Sequence, residues 1–452
     1  MKSYEIQPTD ENILKTLLED TIGRDKDIRY FIQTLDKLEG HWSISLDSQW
    51  GSGKTFFVKQ TKLVLEAFND NIKKDIEPTD VADIKKTFKN DLGITQSFLP
   101  IYYDAWANDN DEDPILSLIY QITQDIEIYY DIKDLPVFAD VGINICSMIT
   151  GRDYKALFNS IKSTDPLGKI KKEKDLQEEI NEFFNRLLEE RAERLVIFVD
   201  ELDRCKPTYA VHFLERIKHY FANDNIIFVF SINSMELQKT IKKFYGHDFE
   251  AYKYLDRFFN MKLRLPEADM RLVLNSIGVK DTSRYWYDII TNAFIECYSL
   301  DIRMTTKYLQ LQESCCYDLL HGKSRNMYYG DGFFELCSVF VPIIIGLFVS
   351  NISLYDEFIK GRNVNPLIDV LSATDRIDYY YHTLLGFDKT TDFEVIKSNL
   401  TKLYINVMNY KEEEPYSEIR IGKIAIDRET KKSLFAQTKV ISEGSDLLKG
   451  KQ

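Results

Sequence analysis

Short apolar runs separated by helical patterns fill the chain as far as Pro266. Each run reads as a buried strand: residues 42–47, 98–103, 195–199, 226–232 and, as a further candidate, 261–265. Strands that are apolar on both faces are typical of parallel sheets, whose connections place helices above and below. The pattern therefore predicts an α/β fold, with a mostly parallel sheet that is covered by helices on both faces.

Helical periodicity dominates the rest of the chain. Residues 9–38 predict helix with a break at residues 21–24, and residues 169–194 predict a charged amphipathic helix. A hairpin is expected at residues 419–426 and 439–441. From these patterns we predict an α/β core (1–106 and 195–266), a helical insertion (107–194), a lid-like helical segment (267–325) and a mainly helical C-terminal domain with the small hairpin (326–452).

The apolar run at residues 339–349, VFVPIIIGLFV, has the length of a buried core helix. Crossing the hydrocarbon of a bilayer takes ~20 residues, and Pro342 interrupts this run. We expect a buried helix and no integral membrane insertion, with a membrane-contacting segment as the alternative. The first residues lack the apolar core of a signal peptide, and the six cysteines lack zinc or CxxC spacing. Both features favour a cytoplasmic location.

The charge balance bears on the choice of partner. The chain carries 58 Lys and Arg against 72 Asp and Glu, a net charge of −14. Nucleic-acid binding usually needs a basic surface that neutralises phosphates. The balance therefore argues against nucleic acid as a partner, with a local basic patch as the alternative.

Residues 48–55, SQWGSGKT, lie between the first predicted strand and the next predicted helix. Apart from Ser48 in place of the first glycine, they match the phosphate-loop pattern G-x-x-x-x-G-K-[ST]. The two glycines of GSG let backbone N–H groups turn toward phosphate oxygens. Lys54 supplies a cation for the β- and γ-phosphates, and Thr55 can coordinate Mg²⁺. The motif predicts a site for a nucleoside triphosphate with Mg²⁺, a mere turn being the alternative.

An acidic pair ends the third apolar run, where residues 195–201 read LVIFVDE. Asp200 is placed to hold the Mg²⁺ shell, and Glu201 is placed to polarise the attacking water as a general base. A strand end with two solvated acids is the alternative. Together with the phosphate loop, the pair predicts hydrolysis of the β–γ phosphoanhydride bond.

Three blocks of the sequence resemble the KAP family of P-loop NTPases: WGSGKT at 50–55, YDAW at 103–106 and DELDRC at 200–205. In that family a tryptophan lies in the phosphate loop, a FNAW-like block follows the next strand, and the strand with the metal-binding aspartate ends in DDLDRC. The resemblance covers about residues 15–310. It departs from the family at Ser48, Asp104 and Glu201, where glycine, asparagine and aspartate are usual.

The resemblance implies a sheet in which one strand separates the phosphate-loop strand from the strand with the acidic pair. It also implies roles for residues outside the two motifs. Arg24 lies in IGRD, which is similar to the segment that leads into the family's nucleotide pocket. Asn233 stands where the family tends to have aspartate, and it would orient the lytic water. Arg204, Arg257 and Arg303 are candidates for an arginine that neutralises the transition state, a surface salt bridge being the alternative for each.

The function that we expect is an ATP-driven conformational switch or assembly with an unknown protein partner, a homo-oligomer being left open. ATP is favoured over GTP because no NKxD motif is evident. The alternatives are a nucleotide-binding scaffold with negligible turnover, motivated by Ser48, and a nucleic-acid-coupled NTPase. Bacterial anti-phage defence is expected from family analogy alone. We assign nucleotide binding to Arg24, Trp50, Gly51, Ser52, Gly53, Lys54, Thr55 and Phe56, metal binding to Thr55 and Asp200, and catalysis to Lys54, Glu201, Asn233, Arg257 and Arg303.

Overall fold

The computed structural model describes residues 6–72, 77–88, 92–111, 113–129, 181, 184–185, 187–189, 191–220, 223–276, 286–321, 333–374, 381–382, 392–408, 419–421, 424–426, 431–432, 434–435 and 438. The chain forms two compact units, Pro8–Asp269 and Met270–Gln452 together with Met1–Gln7. The predicted segments 267–325 and 326–452 fall in the second unit except for three residues. The predicted domain boundaries within each unit stay predictions.

Five parallel strands form the sheet of the first unit: β1 (Trp42–Asp47), β2 (Phe98–Asp104), β3 (Arg194–Asp200), β4 (Ile226–Ile232) and β5 (Met261–Arg264). Their order is β2-β3-β4-β1-β5, and every neighbouring pair is parallel. Strand β4 thus separates β1 from β3, as the family resemblance implied. All five predicted strands are present, and each predicted end lies within one residue of the observed end.

The sheet is apolar on both faces because successive side chains of a strand point in opposite directions. Strand β3 is buried along its whole length. Its residues Leu195, Ile197 and Val199 belong to one hydrophobic layer, whereas Val196 and Phe198 belong to the layer on the opposite face. Full burial of each such side chain contributes about 2 kcal/mol. Both faces therefore require a cover of helices, and the predicted α/β fold class is confirmed.

One face is covered by α1 (Asp10–Leu18), α2 (Asp25–Asp36), α3 (Lys54–Phe68) and α4 (Pro78–Phe88). Helix α2 buries Ile28, Phe31, Ile32 and Leu35, which recur at helical spacing. The break predicted at residues 21–24 separates α1 from α2. Helix α3 begins directly after the Gly-rich turn, as its sequence predicted.

The other face is covered by α5 (Pro114–Tyr129), α6 (Pro207–Tyr220), α7 (Ser234–Tyr245) and α8 (Ala251–Leu255). A polar chain runs through this layer: the Tyr103 hydroxyl contacts the Tyr209 hydroxyl and donates to Ser117 Oγ at 2.9 Å. Of the predicted insertion, the structure describes residues 107–111 and 113, helix α5, a few residues before β3 and the first residue of β3. Most of the helix predicted at residues 169–194 lies outside the described residues.

The unit Met270–Gln452 is built from helices around one apolar core. They are α9 (Met270–Ser276), α10 (Trp286–Cys297), α11 (Ile302–His321), α12 (Phe333–Ser350), α13 (Ile352–Ile359), α14 (Asn365–Ala373) and α15 (Phe393–Met408). The predicted hairpin is present as β6 (Ile419–Ile421) and β7 (Ile424–Ile426), which pair antiparallel. Residues 439–441 lie outside the described residues.

Helix α12 contains the apolar run 339–349 and is buried in this core, as predicted. Pro342 lies inside the helix, and its carbonyl accepts a hydrogen bond from the Tyr308 hydroxyl at 2.9 Å. Gly346 faces the Phe294 ring of α10 so closely that a Cβ on Gly346 would lie 2.4 Å from a ring carbon. In the part of the chain that the structure describes, no helix combines the length and the apolar character needed to cross a membrane.

Candidate functional site

The Gly-rich loop connects the end of β1 to α3. Gly51 and Gly53 have φ values of 82° and 87°, the left-handed region that favours glycine. Ser48 does not have a positive φ, and its N–H donates to the Ile232 carbonyl of β4 at 3.1 Å. Serine in place of the family's glycine therefore causes no backbone strain at this position.

Lys54, the first residue of α3, is buried. Its ammonium donates to the carbonyl oxygens of Ser48 at 2.7 Å and of Gln49 at 3.0 Å. Burial lowers the pKa of Lys54, and the nearby carboxylates of Asp203 and Asp200 oppose that effect. The loop backbone thus holds the cation at the Gly-rich loop.

Two buried polar atoms at the loop have no hydrogen-bond partner, Ser52 Oγ and Arg24 Nε. Arg24 is 2% exposed and donates to the Ser52 carbonyl at 3.2 Å and to Asp27 at 3.1 Å. Arg24 therefore supports the loop backbone. Phe56, in the first turn of α3, is half-buried. Unsatisfied donors beside left-handed glycines fit an anionic ligand with phosphate oxygens.

Asp200, at the end of β3, connects the loop to the acidic pair. Its Oδ2 accepts hydrogen bonds from Thr55 Oγ1 at 2.7 Å and from the Tyr102 hydroxyl at 3.1 Å. The carboxylate is 0% exposed, and burial raises its pKa despite these bonds and the nearby Lys54. A cation bound next to it would offset the cost of this buried charge.

Glu201 has a φ of 62°, which is uncommon outside glycine. Burial, followed by the neighbouring Asp200 carboxylate, raises the pKa of Glu201 to about 7, whereas Arg204 lowers it. Its side chain is 20% exposed and forms an ion pair with Arg204. A carboxylate whose pKa lies near neutrality is suited to accept a proton from water.

Asn233 follows β4 and caps helix α7. Its side-chain oxygen accepts from the N–H groups of Met235 at 3.1 Å and Glu236 at 3.3 Å. The residue lies at the same edge of the sheet as the loop, because β4 is parallel to β1 and next to it. Its amide oxygen is engaged in the helix cap, and its predicted role toward water stays a prediction.

The two remaining arginines lie in other parts of the chain, and their predicted catalytic roles stay predictions. Arg257 is exposed and precedes β5, and Asn260 three residues later bonds to the Ser43 carbonyl at the start of β1. It thus lies toward the amino edge of the sheet, opposite the loop of the same chain. Arg303 is exposed at the start of α11, in the other unit.

Sequence reasoning assigned no role to several residues that complete the site. Tyr102 reads as part of an apolar strand, yet its hydroxyl reaches Asp200. Asp203 accepts a hydrogen bond from Trp50 Nε1 at 2.6 Å. The signal that was available for Asp203 is its place in DELDRC, next to the acidic pair.

A Gly-rich loop after one parallel strand, with an acidic pair ending the strand two places away, defines the site of a P-loop NTPase. The chain belongs to the KAP family: the sequence model of the KAP family P-loop domain matches residues 24–279, more than half of the chain. The family resemblance noted from the sequence is thereby confirmed.

The other comparisons add little. A solved structure described as C. elegans PCH-2 is 10% identical, and the match covers 82% of this chain and 70% of that chain with a TM-score of 0.20. That score is too low for any argument about this chain. No curated protein matches the sequence.

Proposed function

We propose that this P-loop NTPase binds ATP with Mg²⁺ and hydrolyses it, with Glu201 as the general base. The observation that carries the proposal is the contact between Thr55 and Asp200 at 2.7 Å. It joins the hydroxyl of the phosphate loop to the buried carboxylate of β3. Glu201 follows directly in the chain, so the base lies beside the metal ligands.

The donor set fits Mg²⁺, which prefers hard oxygen ligands. Thr55 and Asp200 supply a hydroxyl and a carboxylate whose charge is costly while buried. When bound, Mg²⁺ would neutralise charge on the β- and γ-phosphate oxygens. Lys54 would bind the same oxygens, and the N–H groups around Gly51 and Gly53 would hold them in place.

Glu201 would take a proton from the water that attacks the γ-phosphorus. Its pKa of about 7 lets the carboxylate be ionised at neutral pH and still accept the proton. The bond from the γ-phosphorus to the β–γ bridging oxygen breaks, and ADP and inorganic phosphate leave. The nucleotide state would then act on the insertion and on an unknown protein partner, as a switch or an assembly signal.

The test measures phosphate release and particle size, each with and without Mg-ATP, for the wild-type chain and Glu201→Gln. We expect Mg²⁺-dependent release by the wild type and a loss of about 100-fold or more in E201Q, which still binds Mg-ATP. Equal rates in both proteins would show that Glu201 is not the base. A size that is independent of nucleotide would exclude assembly and leave a switch within one chain.

A nucleotide-binding scaffold with negligible turnover is the second candidate, favoured by the ion pair that occupies Glu201. In that case Mg-ATP raises the melting temperature of both proteins equally, and neither releases phosphate. The net charge of −14 argues against a nucleic-acid-coupled NTPase. A role in defence against phage rests on family analogy alone.

A further inference from the structure

Two exposed tryptophans each contact the same arginine beside the loop. The rings of Trp50 and Trp106 each lie 5.4 Å from the guanidinium carbon of Arg204. Trp50 is 42% exposed and Trp106 is 51% exposed, although large apolar side chains usually pack inside. Trp50 is held by its hydrogen bond to Asp203. These two rings and the arginine that contacts both are called the indole clamp here.

The guanidinium in the clamp also contacts the base. Arg204 forms an ion pair with Glu201, and each of these side chains is 20% exposed. The three residues of the clamp come from different segments: Trp50 from the loop after β1, Trp106 from the turn after β2 and Arg204 from the turn after β3. Arg204 is therefore the one residue of this group that touches both the exposed rings and Glu201.

We propose that Arg204 is the positioning residue of Glu201, and that the indole clamp transmits movements of the loop and of the start of the insertion to this base. Only the catalytic consequence of this inference rests on the proposed hydrolysis. The ion pair and the clamp exist without nucleotide, so the coupling between them has a test of its own.

Arginine suits this task for geometric reasons. Its planar guanidinium can stack between two rings while its N–H groups point along the plane toward a carboxylate. Lysine keeps the charge but lacks the plane and the fork of donors. The neighbouring carboxylates of Asp200 and Asp203 both raise the pKa of Glu201, and the charges of Arg204 and, to a smaller extent, Lys54 lower it. Without Arg204, the carboxylate would lose its adjacent counter-charge.

Movements reach the clamp by two routes. Trp50 belongs to the phosphate loop, so a change of loop conformation on binding phosphates would displace one ring. Trp106 begins the turn that continues into the predicted insertion at residue 107. Asp109 of that turn accepts from the Lys206 N–H at 3.1 Å, two residues after Arg204. A shift of this turn would thus displace the segment that carries the arginine.

The first experiment compares the intrinsic tryptophan emission of the full chain with that of E201Q, R204Q and R216Q at one pH, without nucleotide. We expect E201Q to shift the emission, because loss of the carboxylate removes the ion pair of Arg204 and alters its contacts with the two rings. R204Q should also shift the emission, and R216Q should leave it unchanged. Arg216 is a matched control because it also pairs with a carboxylate, Asp113, outside the clamp. An emission spectrum that is the same in E201Q as in the wild type overturns the coupling.

The second experiment records kcat/KM for ATP against pH. R204Q should move the acidic limb to higher pH and lower the rate at pH 7 by about tenfold, since the base is both less ionised and less fixed. In R204K the acidic limb should lie at the same pH as in the wild type, but the rate should recover only in part. W106A should lower the rate more than W106F, which keeps a ring over the guanidinium.

The outcomes separate the two proposals. R204Q overturns the positioning role if its thermal unfolding, its rate and the acidic limb of its kcat/KM profile all match those of the wild type. If the wild type releases no phosphate, the proposed hydrolysis fails, and the emission of E201Q against that of the wild type still decides whether Arg204 couples Glu201 to the clamp. If R204Q does not fold, R204K and the pair W106A and W106F carry the same comparison.

Discussion

Strand β3 begins at a buried arginine, Arg194, and ends at a buried aspartate, Asp200, so the two edges of the sheet can be compared on a single strand. At the amino edge, the Arg194 guanidinium donates to the backbone carbonyls of Leu38 and of Gly40, the latter at 2.7 Å. At the carboxyl edge, Asp200 lies beside two further carboxylates, those of Glu201 and Asp203. Backbone carbonyls thus accept hydrogen bonds from the charge at the start of β3, whereas like charges lie next to the carboxylate at its end.

The difference shows how one sheet separates stability from function. Burial lowers the pKa of Arg194, yet the carbonyls at the amino edge accept its hydrogen bonds within the chain. At the carboxyl edge, burial raises the pKa values of Asp200, Glu201 and Asp203 alike. The first edge stabilises the fold as it stands. The second would be stabilised further by a bound cation, because its carboxylates are buried close to one another.

Replacing the cation at the carboxyl edge should give the largest effect. Lys54→Ala removes the ammonium held by the Ser48 and Gln49 carbonyls. We expect kcat/KM for ATP to fall roughly 1,000-fold, about 4 kcal/mol, because the lysine stabilises charge on the transferred phosphoryl group. Phosphate release at saturating and limiting ATP measures the loss. A loss below tenfold would show that this edge does not bind phosphates.

Glu201→Gln should stabilise the folded protein in a pH-dependent manner. Because the pKa of Glu201 is raised from 4.5 to about 7, the folded state binds this proton more tightly than the unfolded state. The wild type therefore loses stability as the pH rises from 4.5 through 7, and the glutamine variant lacks this loss. The shift corresponds to about 3 kcal/mol at pH 8.

The measurement is urea unfolding of both proteins at pH 4.5 and at pH 8, without Mg²⁺. The gain from E201Q should be present at pH 8 and nearly absent at pH 4.5. An equal gain at both values would mean that the substitution acts through packing, and the contrast between the two edges would lose its electrostatic basis.

Arg194→Met should show the opposite pattern at the amino edge. The variant keeps an apolar stem but leaves the Leu38 and Gly40 carbonyls without their buried donor. We expect the free energy of unfolding to fall by about 2 kcal/mol. The kcat/KM of the folded protein should stay within twofold of the wild type. Arg216→Met, at an ion pair that is partly exposed, is the matched control with a loss below about 1 kcal/mol.

The smallest effect concerns a single hydrogen bond. Tyr102→Phe removes the hydroxyl that donates to Asp200 and keeps the ring. We expect the Mg²⁺ concentration for half-maximal activity to rise about fivefold, which is about 1 kcal/mol. Tyr103→Phe is the control on the next residue of β2, since that hydroxyl bonds to Ser117 on the other face of the sheet. A similar rise in both variants would assign the effect to the strand and not to the bond.

Tyr102 and Tyr103 also show how far sequence reasoning reaches. The run 98–103 predicted a buried strand, and the two tyrosines looked equivalent within it. Only pairing with β3 decides which face each one takes, and hence that Tyr102 meets Asp200. Strands and loop were predictable because they are local patterns. Contacts between residues 98 positions apart depend on register.

The arginines make the same point. From the sequence, Arg204 was a candidate for the arginine that neutralises the transition state, with a surface salt bridge as the alternative. The structure places it against Glu201 and two rings. Arg257 was assigned to the catalytic group, whereas its place before β5 puts it at the amino edge of the sheet. That placement could have been foreseen, because a residue that precedes a parallel strand lies opposite the loops that follow the strands. The order of the strands was implied only by family resemblance.

The close approach of Gly346 to Phe294 has a consequence for genetics. The ring is confined on its other sides by Tyr298 and Tyr308, at centroid distances of 4.4 Å and 5.4 Å. Alanine at this position would overpack the core by about 1–3 kcal/mol, partly offset by its better helix propensity of about 1 kcal/mol. An allele carrying Gly346→Ala should therefore be heat-sensitive, because the substitution overpacks the core of the helical unit. Raising the growth temperature would then lower the amount of folded protein in living cells, without any change to a residue of the phosphate loop.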